Sequence, residues 1–205
     1  MTNSNDTNPL KNADYGAVLM KKRLYLIAGA NGSGKTTLAH ELLREEQGLV
    51  FLNADETAAK IGDSAGISAG RTILTDTAKM LTDGKSFVIE STISGKYHRR
   101  VLDEARGKGY EIILIYVFLD ALELNIARIK NRVRLGGHNV PEADVVRRFY
   151  RSVKNFGDVA TLVDFWKLYY NGVDGLEQIA NGCGDDVEVL NDDFYEKFTK
   201  GLNRE

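Results

Sequence analysis

Residues 29–36 read Gly-Ala-Asn-Gly-Ser-Gly-Lys-Thr, a full phosphate-binding loop of the form G-x-x-x-x-G-K-[ST]. The loop constrains the fold tightly because it works only between a strand and a helix. Its glycines let backbone N–H groups curl around an anionic phosphate, and the following helix adds the positive end of its dipole. The flanks supply both partners. Lys22-Arg-Leu-Tyr-Leu-Ile-Ala-Gly29 is a short apolar run of buried-strand type, and Lys35-Thr-Thr-Leu-Ala-His-Glu-Leu-Leu-Arg44 is rich in helix formers. Gly29, Ala30, Asn31, Gly32, Ser33, Gly34, Lys35, Thr36 and Thr37 form the expected nucleotide-binding set. Lys35 would reach the β- and γ-phosphates of ATP, and the Thr36 hydroxyl would join the shell of a Mg²⁺ ion.

Further strands and helices alternate along the chain. Gly48-Leu-Val-Phe-Leu-Asn53 and Ser86-Phe-Val-Ile-Glu90 read as strands, with a helical stretch from Gly66 to Gly84 between them. His98 to Lys108 is helical in character, and Gly109 breaks it. Glu111-Ile-Ile-Leu-Ile-Tyr-Val-Phe-Leu119 is the longest apolar run and predicts a central strand buried on both faces. Leu122, Ile126, Ile129 and Val133 make one amphipathic helix. Pro141 suits the first turn of another, whose core stripe is Val145, Val146, Phe149, Val153 and Phe156. Asp164–Tyr170 and Gly175–Ala180 read as closing strands, and the segment after Cys183 can be placed without an assigned purpose. This pattern predicts an α/β, three-layer P-loop NTPase of nucleotide-kinase-like type, with a mostly parallel central sheet flanked by helices. Residues 1–21 are expected to be a flexible tail, and 22–205 a single domain with a lid around 128–151.

Bulk composition narrows the partners. The 27 Lys and Arg nearly balance 29 Asp and Glu, for a net charge of −2, which argues against a nucleic-acid binder resting on bulk positive charge. The single cysteine, Cys183, excludes an intramolecular disulfide and reads as a small buried or half-buried thiol. No apolar run approaches the ~20 residues of a membrane helix, and the polar N-terminus lacks signal-peptide character. A cytoplasmic location without membrane association is the expectation.

Chemistry must then be separated within the P-loop proteins. The Asn-Lys-x-Asp guanine-reading motif and an apolar strand ending in paired acids are both absent. Phe118-Leu-Asp120 closes the best apolar strand, but Asp120 can serve simply as a helix cap. Asn53-Ala-Asp55-Glu56 follows the second strand, where ligands of open α/β sheets bind. Asp55 there can accept the proton of a substrate hydroxyl in line with the γ-phosphate, or cap the next helix. Glu90, closing a buried strand, needs a partner or a task; a sugar hydroxyl, a metal shell or a purely structural bond would each serve.

A basic region follows. Arg128 and Arg132 share a helix face, Arg134 comes next, and Gly136-Gly137-His138-Asn139 makes a flexible break before Pro141. Arg147, Arg151 and Lys154 form another row on the face opposite the next helix's core stripe. These faces can close as a lid over transferring phosphate, or stand as solvated surface. His40, His98 and His138 show no metal-ligand spacing; His40 reads as packing or surface, and His138 could touch phosphate from the hinge. Trp166, Tyr169 and Tyr170 suit core packing or the edge of an adenine.

The loop, Asn53-Ala-Asp55, Val88-Ile-Glu90-Ser-Thr92 and Arg132-Val-Arg-Leu-Gly-Gly-His-Asn-Val-Pro141 with Arg147-Arg-Phe-Tyr-Arg151 resemble, in this order, the zeta-toxin family of small-molecule kinases. The likeness runs from about Lys22 to Gly182. It implies ATP- and Mg²⁺-dependent phosphorylation of UDP-N-acetylglucosamine and a small antitoxin protein as partner. Carried over, Asp55 becomes the general base, Lys35 the γ-phosphate clamp and Thr36 a Mg²⁺ ligand. Arg128, Arg132 or Arg134 stabilises phosphate charge, and Glu90, Thr92, His138 and Arg147 face the acceptor. One departure stands out. Better-known members place an arginine near the position of His138, which is mostly neutral near pH 7, so either Arg134 substitutes or the acceptor differs.

Overall fold

The computed structural model describes residues 21–62, 67–137 and 139–202. The tail expected over residues 1–21 thus lies outside the described residues apart from Lys21, and so does His138. The chain runs β1 (Arg23–Ala28), α1 (Lys35–Glu45), β2 (Val50–Leu52), α2 (Ala54–Ile61), α3 (Ile67–Asp83), β3 (Phe87–Ser91) and α4 (Tyr97–Gly107). It continues with β4 (Glu111–Phe118), α5 (Leu122–Arg134), α6 (Glu142–Ala160), β5 (Phe165–Gly172), β6 (Gly175–Cys183), β7 (Asp186–Val189) and α7 (Asp192–Leu202). Pro141 stands one position ahead of α6 as its N-cap residue.

The strands form one seven-stranded sheet in the order β2-β3-β1-β4-β5-β6-β7. The first five in that order run parallel, with helices joining successive ones along the chain. β6 and β7 extend the sheet antiparallel through tight turns. This is the mostly parallel, helix-flanked P-loop architecture expected. β1 sits between β3 and β4, so the chain first builds toward one edge and then crosses to the other. That reversal opens a crevice at the carboxyl ends of the strands.

β4 shows why the longest apolar run occupies the centre. Successive side chains of a strand face opposite ways: Ile112, Leu114, Tyr116 and Phe118 enter one core, while Ile113 and Ile115 face the other. The larger core is covered by α3, α4, α6 and α7, through Ile73, Met80, Leu102, Phe156 and Phe198. The smaller packs under α1, against Ala39, Leu38 and Leu42. Trp166 belongs to the larger core, edge-on to Phe156 with centroids 5.5 Å apart, and Tyr170 stacks on Phe194 at 3.9 Å.

Two local readings change. Cys183 is exposed, not a buried thiol: it ends β6 opposite Asp186, at the turn into the exposed edge strand β7. Asp120 does not cap α5, whose N-cap is Ala121 without a side-chain bond. Its carboxylate instead accepts from the Tyr170 hydroxyl at 3.1 Å and pairs with Lys197 at 3.3 Å. Among the described residues no helix is long and apolar enough to cross a membrane.

The segment after Cys183 acquires a structural purpose through α7. Its Phe198 is 1% exposed and meets the rings of Tyr116, Phe118 and Phe156 at 5.7, 5.0 and 4.9 Å. Phe198→Ala should therefore cost roughly 3–5 kcal/mol in urea denaturation; a loss below about 1 kcal/mol would mean that α7 does not seal this core.

Candidate active site

The phosphate-binding loop joins β1 to α1, and three of its glycines have positive φ: 139° at Gly29, 80° at Gly32 and 100° at Gly34. Close approach excludes side chains as well. A Cβ would lie 2.2 Å from the Val117 carbonyl at Gly29, 2.6 Å from the Asn125 carbonyl at Gly32 and 2.1 Å from Asn171 Nδ2 at Gly34. Two asparagines hold the loop from outside. Asn125 of α5 donates to the Asn31 carbonyl at 2.7 Å, and Asn171 of β5 donates to the Ser33 carbonyl at 2.8 Å. α1 begins at Gly34 with no side-chain cap, which leaves its first N–H groups directed at the loop's concavity. The buried Ser33 hydroxyl and Asn31 amide oxygen have no hydrogen-bond partner among the described residues.

The register brings the acidic side of the site to the same end of the sheet. Leu52 pairs with Ile89, and Ile27 with Glu90, so Asn53, Glu90 and the start of the loop lie level. Glu90 accepts from the Thr36 hydroxyl at 2.8 Å and from Asn53 Nδ2 at 2.7 Å, with Lys35 Nζ 3.9 Å away. Lys35 donates to the Ala30 carbonyl at 2.7 Å. Burial holds its ammonium below the usual lysine range, while the Glu90 and Asp55 carboxylates pull it back up. Asn53 is the N-cap of α2, accepting from the Glu56 N–H at 3.1 Å. Asp55 is therefore not the cap, and its carboxylate lies 3.6 Å from Arg132 Nη1.

A cavity of about 400 Å³ opens on these groups. Lys35, Asp55, Glu90, Thr92 and Arg148 line it, with Asn31, Asn53, Tyr97 and His98. Ile73, Leu74, Ile89, Val101 and Leu102 form an aliphatic wall. His98 is held below the ordinary histidine range by burial and by Arg99, against the pull of Asp158.

Of the residues singled out from the sequence, Lys35, Asp55, Glu90 and Thr92 meet at this cavity, Thr36 joins through Glu90, and Arg132 through Asp55. Others stand apart. Arg128 donates to the Gly172 carbonyl at 3.0 Å, Arg134 and Thr37 are exposed, and Arg147 sits outside the cavity on Asp144 at 2.7 Å. His138 lies outside the described residues. His40 is a surface group, 3.2 Å from Glu56 and edge-on to Phe51.

Sequence reasoning missed Arg148, Asn125, Asn171 and His98. Arg148 carried a readable signal: it stands three residues after Val145 and four before Ser152, both buried, and so borders the buried stripe, whereas Arg147 points away from it.

The geometry defines a P-loop domain of nucleotide-kinase-like fold. The chain belongs to the AAA domain family, whose model matches residues 24–154. An uncharacterized Haemophilus influenzae protein is 31% identical over 136 residues, 64% of this chain and 95% of that protein. Among solved structures, the AvrRxo1-ORF1:AvrRxo1-ORF2 complex with sulphate ions superposes at TM-score 0.72 and 18% identity, over 90% of this chain. The chain spans 65% of the length of the chain it matches there. The PezAT chromosomal toxin-antitoxin system of Streptococcus pneumoniae superposes at TM-score 0.58 and 17% identity, covering 90% of this chain and 87% of that one. These structural likenesses carry the fold.

His98 generates a pH prediction. With its folded value depressed, the unfolded chain binds the proton first, so stability should fall as pH drops from the ordinary histidine value through the folded one. His98→Gln should remove that part of the slope. Urea midpoints against pH test this, and a slope unchanged in the variant would discount the shift.

Proposed function

We propose that this chain is an ATP-dependent kinase of zeta-toxin type, transferring the γ-phosphoryl group to a hydroxyl of a sugar nucleotide, with UDP-N-acetylglucosamine as first candidate. The observation that carries this reading is the meeting, at one cavity, of the loop lysine with a carboxylate from the β2–α2 junction and an arginine from α6. A hydrolase needs only to position water; an added cavity with its own aliphatic wall suits an organic acceptor.

In this reading ATP lies along the loop and Lys35 leaves the Ala30 carbonyl for the γ-phosphate. Asp55 takes the proton of the acceptor hydroxyl as its oxygen bonds to the γ-phosphorus, and the bond from that phosphorus to the bridging oxygen breaks to release ADP. Arg148 and Arg132 stabilise the charge that develops on the transferring group. Arg128 stays on the Gly172 carbonyl and Arg147 on Asp144, so in this reading Arg148 takes the charge-stabilising role that the sequence offered to Arg128, Arg132 or Arg134. Thr92 and His98 face the acceptor. The segment 128–151 closes as a lid, excluding water.

Mg²⁺ fits the residues present. The Thr36 hydroxyl and Glu90 carboxylate, 2.8 Å apart, are hard oxygen groups of the sort that hold this ion while phosphates and water complete its shell. When bound it neutralises phosphate charge. An antitoxin partner belongs to the same reading, supported by the likeness to a chain of the PezAT toxin-antitoxin system. A second reading keeps the transfer and changes the acceptor to a nucleoside or dinucleotide. The aliphatic wall of Ile73, Leu74 and Val101 favours it by offering a surface to a flat base.

Transfer from labelled ATP with Mg²⁺ to an acceptor panel, UDP-N-acetylglucosamine included, tests the proposal. Asp55→Asn should lose about 10²–10⁴-fold in transfer while still binding ATP; full activity would remove Asp55 as the base. Arg148→Ala should lose on the order of 10²–10³-fold in kcat, and Arg147→Ala should stay close to the unsubstituted enzyme. The reverse order would remove Arg148 from this role.

A further inference from the structure

Ile93, just past β3, has φ of 45° and is the only non-glycine with positive φ among the described residues. A β-branched residue rarely adopts that conformation, because its side chain crowds the backbone there. Such an outlier persists only where its surroundings over-determine it. Here they do. The side chain is 1% exposed, and the Ile93 N–H donates to Ser91 Oγ at 3.0 Å. The hydroxyls of Thr92 and Ser94 lie 2.8 Å apart, and Asn155 Nδ2 donates to the Ile93 carbonyl at 2.6 Å.

Asn155 comes from α6, 62 residues away. It stands seven residues after Arg148 and three after Ser152, so the three share one helix face across two turns. Ser152 is anchored in turn by the Tyr116 hydroxyl at 2.9 Å. Ser91 and Thr92 line the cavity, while Asn155 and Ile93 do not. The left-handed turn is what lets the chain present Ser91 and Thr92 to the cavity and then drop Ile93 into the core.

We infer that Asn155 is a positioning residue for the acceptor, an inference that rests on the kinase reading. By clamping the Ile93 carbonyl it holds the acceptor wall in register with the helix that carries Arg148. Removing the donor frees the turn to relax toward negative φ, which shifts Ser91 and Thr92 and leaves the phosphate-binding loop as it was. Displacement of a positioning group of this kind costs on the order of 10- to 100-fold in kcat/KM.

The experiment pairs kinetics with hydrogen exchange on the full chain. Asn155→Ala, and the near-isosteric Asn155→Asp, which cannot donate, should both raise the acceptor KM and leave the ATP KM unchanged. Amides of residues 91–95 should exchange faster, and those of residues 29–36 at the original rate. Ile93→Gly, which takes positive φ without a side-chain clash, should bring the acceptor KM of Asn155→Ala back toward that of the unsubstituted enzyme. Equal rises in both KM values, or unchanged exchange over residues 91–95, would overturn the clamp. If Ile93→Gly does not fold, the two Asn155 variants still decide. The exchange arm reads the clamp with or without turnover, so an enzyme that phosphorylates no acceptor counts against the kinase reading alone.

Discussion

A carboxylate at the end of a buried parallel strand is costly unless it is bonded, and Glu90 accepts from the Thr36 hydroxyl at 2.8 Å and the Asn53 amide at 2.7 Å. Those two donors belong to the first turn of α1 and to the end of β2. One side chain thus joins three neighbouring segments at the mouth of the crevice, with the Lys35 ammonium 3.9 Å off. Because Asn53 also caps α2, the same contact sets the entry of the helix that carries Asp55. The positions of the lysine, the hydroxyl and the aspartate are therefore coupled through Glu90.

How much of this could be read from the residues depended on the range of the interaction. The loop's strand and helix, the central place of Glu111–Phe118 and the helix–strand alternation were legible, since each is written in consecutive residues with period 2 or 3.6. Asp55 and Glu90 were legible as acids at strand ends, which is where an open sheet collects its ligands. Asn125 and Asn171 were not. Each reaches the loop from far along the chain, 94 residues for Asn125 to Asn31 and 138 for Asn171 to Ser33, and a lone asparagine carries no pattern. The choice between Arg147 and Arg148 turned on about 100° of helix rotation, beyond what a row of basic residues conveys. Asp120 was misread because its partners, Tyr170 and Lys197, arrive from β5 and α7.

The loop itself is held from two sides. Asn125 and Asn171 bond its carbonyls, and the glycines lie so close to neighbouring atoms that a methyl group at any of three positions would collide. A cradle built this way keeps its N–H groups aimed before any anion arrives, so little ordering remains for the moment of binding. One ion pair beside the cavity is looser. The Arg132–Asp55 contact is 3.6 Å long between side chains 37% and 42% exposed, the sort of ion pair that contributes little.

The sheet ends in short strands on both sides, Val50–Leu52 at one edge and Asp186–Val189 at the other. An unpaired strand edge is a template for foreign chains, and its reach grows with its length. Three residues at one side and four at the other present few N–H and C=O groups to an incoming strand. On the longer edge Asp186 and Glu188 alternate with Val187 and Val189, so a second copy approaching there would set like charges against each other. The architecture that carries the crevice thereby also discourages the molecules from joining edge to edge.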